Sequence, residues 1–539
     1  MNFFMNLNYG EHNSGIEDAE IKRALLFKKN HEPFRIIFKH FNPLLHFNMR
    51  KIDIDDNEIL NVFDFYQESI NVPCKKITKN DIDFGVDDLN YKEESENNRF
   101  IVTKGNLIIG RINYFDSHYS SHKQVKSVEI FDGYAHLYRV DFYDFRGFLT
   151  KSEMYTPDNK IADSIWYSTS GKQVIDHYYR YNAIGNLISS GWKTTLPNGN
   201  VNIHSNYEEV FFEFLNLINE EYFDRSTPNI YIVDRAEGSE EMLPKLESPS
   251  YNVIHLHNSH TGNSMQPDTS IMNDNYEYIL TNANNFDAII TPSKKQSIDV
   301  KKRFKPSCEV LPISVGIIKD AHFNKRPKLM KNRKFGSVIA TARIAEEKQI
   351  DQLVKAVGIA RQTIPEITLD IYGYIDHSNN DKAIKKVNRA IKDFGLEKVV
   401  TLHGYVDNVD EIQSNAQIYG VTSTMEGLSL ASMGAISNGD VEVSYNINYG
   451  TDELLENGLN GYIVPFNDYE MMGNKMVDLL SDVDLLQDMS DASFNRAKRF
   501  SETNVWKSWN SLLKKAETIW PKKIQFYHGK VTHGLKEME

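Results

Sequence analysis

The chain has 539 residues, more than one ordinary domain core accommodates, so two or three domains are expected. Hydrophobic residues make up 40% and charged residues 25%, the balance of a soluble globular protein. A net charge of −13 excludes nonspecific nucleic-acid binding as a main role, while leaving room for a local basic surface against a membrane or an acidic polymer.

Cys74 and Cys308 are the only cysteines. They give neither a disulfide framework nor metal-ligand spacing, and two isolated thiols suit a reducing compartment. The first residues, MNFFMNLNYGEHNSG, lack a basic leader and a long apolar core, and no run is long enough to span a bilayer. The expected location is therefore cytoplasmic.

Residues 1–7 read as an apolar strand, 8–15 as a polar loop and 16–29 as a helix whose buried side carries Ile21, Ala24, Leu25 and Phe27. Gly15 in this strand–loop–helix unit would admit a ligand to the backbone, and the helix start would offer N–H donors to a phosphate; many α/β proteins begin in the same way. Residues 34–38 read as a second strand and 59–66 as a helix.

From about residue 100 to 204 the chain turns β-rich and aromatic. Turn signals recur at Asp132-Gly133, Arg146-Gly147, Asp158-Asn159, Ser170-Gly171, Ile184-Gly185 and Asn198-Gly199, at hairpin spacing. The expectation is an antiparallel meander reaching back to about residue 72. Its tyrosine-rich faces would suit sugar or an extended peptide, or equally one side of a sheet core.

The α/β pattern resumes near residue 210, with strands over 229–233 and 251–256. The second opens into His257, Asn258, Ser259 and His260, where open α/β sheets place ligands. His255 and His257 have a spacing that can hold a metal, but no carboxylate cluster joins them in the sequence, and no metal is expected. A strand follows over 286–292, then VLPISVG at 310–316 and a basic stretch at 321–334 that reads as a solvated link. Beyond it, strands at 335–340, 368–372, 399–402 and 416–423 alternate with helices at 350–364 and 383–394, the pattern of a parallel, doubly wound sheet. Arg343 and Lys348 fall between its first strand and helix, a planar fork and a compact charge suited to two phosphates. Residues 426–450, EGLSLASMGAISNGDVEVSYNINYG, read as loop, helix over 428–436, turn at Gly439 and buried strand over 441–445. Residues 469–520, with Trp506, Trp509 and Trp520, read as an amphipathic helical tail, and 522–539 as mobile.

Together these segments resemble the retaining family-4 glycosyltransferases of the GT-B type. Their signature is a Glu, seven residues and a second Glu; Glu426 matches the first, and Gly434 stands at the second. Tyr445, Tyr449 and Gly450, with the NSGIE run at 13–17, resemble a Gram-positive branch that contains protein O-glycosyltransferases and teichoic-acid α-glycosyltransferases. The resemblance implies two Rossmann-like domains with an antiparallel β-rich insertion in the first. The implied bounds are 1–71 and 209–320 for the first domain, 72–208 for the insertion, 321–505 for the nucleotide-sugar domain and 506–539 for a crossing helix and tail.

It further implies transfer of glucose or N-acetylglucosamine from a UDP-sugar, with no cofactor or metal. Arg343 and Lys348 would face the diphosphate and Glu426 the sugar hydroxyls. Gly15, Gly427, Leu428, Ser429 and Gly434 would border the donor, and Tyr372, Gly373, His403, Gly404 and Tyr405 the nucleotide. His257 would contact the transferred sugar, with His255 as the competing alignment. The implied acceptor is Ser or Thr of a serine-rich surface protein. A teichoic-acid polymer, or a non-catalytic role as partner subunit of another glycosyltransferase, are the alternatives. A homologous partner subunit or a homo-oligomer is compatible, as is attachment to the inner face of the membrane. Gly434 has no side chain for the ribose hydroxyls, so weak donor binding is expected.

Overall fold

Among the described residues, three sheets carry the fold. The computed structural model describes residues 1–11, 13–235, 237–525 and 527. The first sheet is parallel, with seven strands in the order β17-β16-β15-β14-β1-β2-β3. These are β1 (Asn2–Asn6), β2 (Phe34–Phe38), β3 (Ile59–Asn61), β14 (Ile230–Val233), β15 (Tyr251–His255), β16 (Ala288–Thr291) and β17 (Glu309–Pro312). The second is a ten-stranded antiparallel sheet inserted between β3 and β14. It runs through β4 (Asn90–Glu94), β5 (Arg99–Lys104), β6 (Leu107–Tyr114), β7 (Val125–Phe131), β8 (Leu137–Tyr143), β9 (Leu149–Tyr155), β10 (Ile161–Tyr167), β11 (Gln173–Tyr181), β12 (Leu187–Thr195) and β13 (Val201–His204), each paired with the next. The third is parallel, six strands in the order β20-β19-β18-β21-β22-β23. They are β18 (Ser337–Thr341), β19 (Thr368–Tyr372), β20 (Val400–Gly404), β21 (Ile418–Val421), β22 (Val441–Tyr445) and β23 (Gly461–Val464). This is the expected GT-B class with its antiparallel insertion. The chain divides into two compact units, one made of residues 1–17, 27–250 and Trp520 onward, the other of residues 18–26 and 251–519.

The insertion is built from one repeated turn. Ala135, Gly147, Asn159, Gly171, Gly185 and Gly199 all sit at positive φ, 12, 12, 12, 14 and 14 residues apart. In each, this residue's N–H donates to the carbonyl three residues earlier, as Gly147 to Asp144 and Gly185 to Asn182. A type I turn closed by a left-handed residue matches the right-handed twist of the flanking strands. In the first hairpin the left-handed position is Ala135 rather than the expected Gly133.

One hairpin is tied down by buried charge. Arg146, 2% exposed, donates to Asp64 at 2.8 Å, to Asp144 at 2.8 Å and to the Ser69 carbonyl. Asp64 also meets His46, which lies 3.0 Å from both Asp64 and Asp56. Burial alone would lower the His46 pKa, but the two carboxylates outweigh it and hold the ring above its ordinary value.

Several local expectations need correction. Residues 59–61 are a strand, not the start of a helix: Ile59 and Leu60 pair with Ile36 and Ile37, and Asn61 caps the helix Val62–Tyr66 by accepting from Phe63 and Asp64. In the helix Gly15–Lys29, Leu25 is half-buried and Leu26 takes its place, because the inner face includes the polar Glu20 and Arg23, which an apolar pattern does not flag. Residues 309–312, not expected as a strand, form one; Pro312 is tolerated because β17 lies at the edge. The tail is three helices, Tyr469–Ser481, Val483–Ala497 and Glu502–Ile524, so residues 522–524 are helical rather than mobile. The rest of that mobile stretch falls largely outside the described residues.

Candidate functional site

Within the second unit, loops from the C-terminal ends of β15, β18, β19, β21 and β22 meet, where open parallel sheets hold ligands. The loops after β18 and β19 are laced together: Ala342 donates to the Tyr372 carbonyl at 2.9 Å, and Ile344 to that of Tyr374 at 3.0 Å. Gly373 permits this. Its φ is +148°, and a Cβ there would lie 2.1 Å from the Ala342 oxygen.

Arg343, Lys348 and Glu426, expected to be catalytic by facing the diphosphate and the sugar hydroxyls, sit on this frame. Lys348 ends a short turn, Glu346–Lys348, ahead of the helix Ile350–Arg361. Its ammonium donates to Glu426 Oε1 at 2.6 Å, and Ser423 Oγ donates to the same oxygen at 2.7 Å. Thr422 fixes the Lys348 backbone by donating to its carbonyl at 2.9 Å. Arg343 does not join this pair. Its guanidinium meets Glu347 at 2.8 Å and Asp376 at 3.5 Å, and its side chain is 43% exposed. Ser423, Thr422, Glu347 and Asp376 were not singled out from the sequence. The signal for the first two was their place at the end of a buried strand; the other two looked like ordinary solvated acids.

Glu426 and Gly427 are wedged between two other loops. Tyr449 donates to the Glu426 carbonyl at 2.7 Å. On the other side a Cβ on Gly427 would lie 2.3 Å from the His257 carbonyl, so only glycine allows this approach. Leu428 is buried. Ser429 caps the helix Leu430–Ser437, its hydroxyl accepting from the Ser432 N–H, so the helix starts two residues later than expected. Gly434 is the fifth residue of that helix, not its start. Its open side is filled from another element: a Cβ there would lie 2.8 Å from Gln413 Oε1, and Gln413 donates to the Ala431 carbonyl at 2.9 Å.

Of the two histidines, His255 is 2% exposed, whereas His257 keeps some exposed surface. The His257 and Asn258 N–H groups donate to the Tyr276 hydroxyl at 3.0 and 3.2 Å. Tyr372 and His403 stack at 4.4 Å between ring centroids, and His403 meets Asp370 at 2.8 Å. Gly404 accepts from the Gly373 N–H at 2.8 Å, and Tyr405 is exposed. Gly15 lies in the first unit. Beside it, Ser14 donates to Glu17 through its N–H at 2.8 Å and its hydroxyl at 2.5 Å, and Arg235 donates to Glu17 at 2.8 Å. The Ser14-to-Glu17 spacing thus builds a helix start.

Beneath the site, two acids are buried, Asp440 just before β22 and Glu442 on it. Asp440 is paired with Arg333 at 2.7 Å, both fully buried. Glu442 is 1% exposed; burial, helped by the Glu426 charge, pushes its carboxyl up to about 8. The folded chain thus binds this proton more tightly than the unfolded chain. Its contribution to stability is present below the ordinary carboxylate range and is lost as pH rises through 8. The loss is about 1.4 kcal/mol per pH step in that window. Glu442→Gln should therefore melt like the natural chain near pH 5 and higher than it at pH 8.5. Thermal melts of both proteins across this range check the sign; a constant difference at every pH would refute it.

Two families match parts of the chain. Residues 322–496 match "Glycosyl transferases group 1", and residues 93–188 match "GtfB middle domain". Residues 322–496 thus form a group 1 glycosyltransferase domain. This glycosyltransferase is 25% identical over 525 residues to the GtfA subunit of the UDP-N-acetylglucosamine--peptide N-acetylglucosaminyltransferase of Streptococcus agalactiae, covering 95% of this chain and 98% of that one. It is 25% identical over 399 residues to the poly(glycerol-phosphate) alpha-glucosyltransferase of Bacillus subtilis, covering 69% of this chain and 55% of that one. Its fold is that of the pneumococcal O-GlcNAc transferase GtfA in complex with UDP and GlcNAc, with a TM-score of 0.77 at 22% identity, covering 96% of this chain and 98% of that one. No helix among the described residues is long and apolar enough to cross a membrane.

Proposed function

We propose that this glycosyltransferase moves glucose or N-acetylglucosamine from a UDP-sugar to Ser or Thr of a serine-rich surface protein, with retention at the anomeric carbon. The observation that carries the reading is the Lys348–Glu426 pair, 2.6 Å apart, on loops whose glycines let backbone approach backbone. The bond from the anomeric carbon to the diphosphate oxygen breaks as the acceptor oxygen bonds to that carbon. Negative charge grows on the leaving diphosphate, and Lys348 and Arg343 stabilise it. Glu426 orients the sugar hydroxyls, and a departing phosphate oxygen takes the acceptor's proton. Two side-chain cations supply the charge that a metal would otherwise supply.

Coverage favours a protein acceptor: the peptide-modifying relative aligns over nearly all of both chains, the polymer-modifying one over 69% of this chain and 55% of its own. We read residues 1–71 and 209–320 as the acceptor-side domain, 72–208 as the insertion that holds acceptor or a partner subunit, 321–505 as the donor domain and 506–539 as its crossing helix and tail. The setting we propose is the cytoplasm or the inner face of the membrane. Calorimetry with UDP-N-acetylglucosamine and UDP-glucose, followed by transfer to a serine-rich polypeptide, tests the reading. Transfer to a polyol-phosphate polymer alone would replace the acceptor. The absence of any donor binding would favour a non-catalytic partner subunit, the reading that Gly434 supports.

A further inference from the structure

A buried cation stands behind the two histidines. Arg23, on the inner face of the helix Gly15–Lys29, is 2% exposed. Its NH1 lies 3.1 Å from Nδ1 of His255. Its guanidinium carbon lies 5.3 Å from the Trp509 ring centroid, and Trp509 meets His255 edge-on at 5.7 Å. Glu20, one turn earlier in the helix, offers a carboxylate 4.0 Å away. All four residues belong to the second unit.

A guanidinium has donors and no acceptor. The imidazole nitrogen that faces it must therefore present its lone pair. The contact thus assigns Nδ1 of His255 the acceptor role, which would leave the ring's proton on Nε2. A second proton would have to enter at Nδ1, against the N–H of a cation in a buried site. His255 ends β15, and its ring contacts that of His257 at 4.5 Å between centroids. A buried arginine costs desolvation that a leucine or methionine of similar volume would not. Its geometry gives it a use.

We propose that Arg23 is a positioning residue: by donating to Nδ1 it fixes His255 as the neutral Nε2–H tautomer and holds that ring against His257. The catalytic part of this inference rests on the reading of His257 as the ring that meets the transferred sugar.

The test uses the full chain with nitrogen-labelled histidine, the His255 signals being identified by their loss in His255→Leu. In the natural chain Nδ1 should be unprotonated and Nε2 protonated; Arg23→Met should populate the Nδ1–H form, and Arg23→Lys should not. With UDP-N-acetylglucosamine as probe, Arg23→Met should lower kcat for donor hydrolysis about ten- to a hundredfold at unchanged KM. Arg23→Lys should recover most of the loss, and Arg23→Met with His255→Leu should be no slower than the worse single variant. A proton on Nδ1 of the natural chain, an unchanged kcat, lysine no better than methionine, or additive losses would each overturn the proposal. If Arg23→Met does not fold, the natural chain, Arg23→Lys and His255→Leu still decide it. A natural chain that binds no donor refutes the proposed function, while the ring-nitrogen measurement separately decides the hold on His255.

Discussion

Lys348→Ala should lower UDP-sugar turnover by about two to three orders of magnitude, the effect of removing one preorganised group from developing oxyanion charge. The fold should survive. Lys348 and Glu426 keep 20% and 17% of their side chains exposed, and Ser423 remains to hydrogen-bond the carboxylate. Arg343→Ala should cost less, because its guanidinium is 43% exposed and already shared between Glu347 and Asp376. A donor must draw it away from both. Steady-state hydrolysis of UDP-N-acetylglucosamine, with a thermal melt as control, checks the ranking. Equal rates for the natural chain and Lys348→Ala would remove the diphosphate role.

The second large effect concerns Gly434. On sequence alone, restoring glutamate there should return two charge-assisted hydrogen bonds to the nucleotide ribose, about 2–4 kcal/mol or roughly 30- to 1,000-fold in affinity. The structure changes how this must be tested. A Cβ at Gly434 would meet Gln413 Oε1 at 2.8 Å, and Gln413 is itself held by the Ala431 carbonyl. Gly434→Glu alone should therefore bring little gain and some loss of stability. Combined with Gln413→Ala it should tighten UDP-sugar binding toward the full range. Calorimetry on both variants separates the cases. Equal affinity in the natural chain and the double variant would show that ribose recognition does not run through this position.

Much of the fold was legible because periodicity reports burial. The strands at 34–38, 368–372 and 441–445 emerge at the residues expected from their apolar runs. The hairpins were announced by their turn residues. Arg343, Lys348 and Glu426 were legible as a motif, but their pairing was not. That Lys348 would meet Glu426 while Arg343 turns to Glu347 and Asp376 depends on loop paths that no spacing encodes. Gln413 was invisible for the same reason: it lies 21 residues before Gly434 and acts only through tertiary contact. Arg23 and Glu20 were missed for the opposite reason, since an apolar pattern treats any charged position as outward. Asp440, just before β22, and Glu442, on it, were not singled out as site residues: burial pushes both carboxyls up, and Arg333 stands 2.7 Å from Asp440, a contact that only the structure reveals.

The position of the antiparallel sheet between β3 and β14 sets a timetable for the nascent chain. β1 pairs on one side with β2 and on the other with β14, Asn2 opposite Ile230, so the first strand made must wait for its second partner more than 220 residues downstream. At ribosomal rates that delay is roughly 10–45 s. Every pairing inside the insertion joins strands adjacent in sequence, and hairpins close in microseconds. The meander can therefore be complete before β14 emerges, bringing residues 90 and 204 into one small body and shortening the loop that β1 and β14 must close. An insertion of this kind acts as a splint for synthesis, and a variant that slows its zipping should aggregate during translation even where the finished protein is stable.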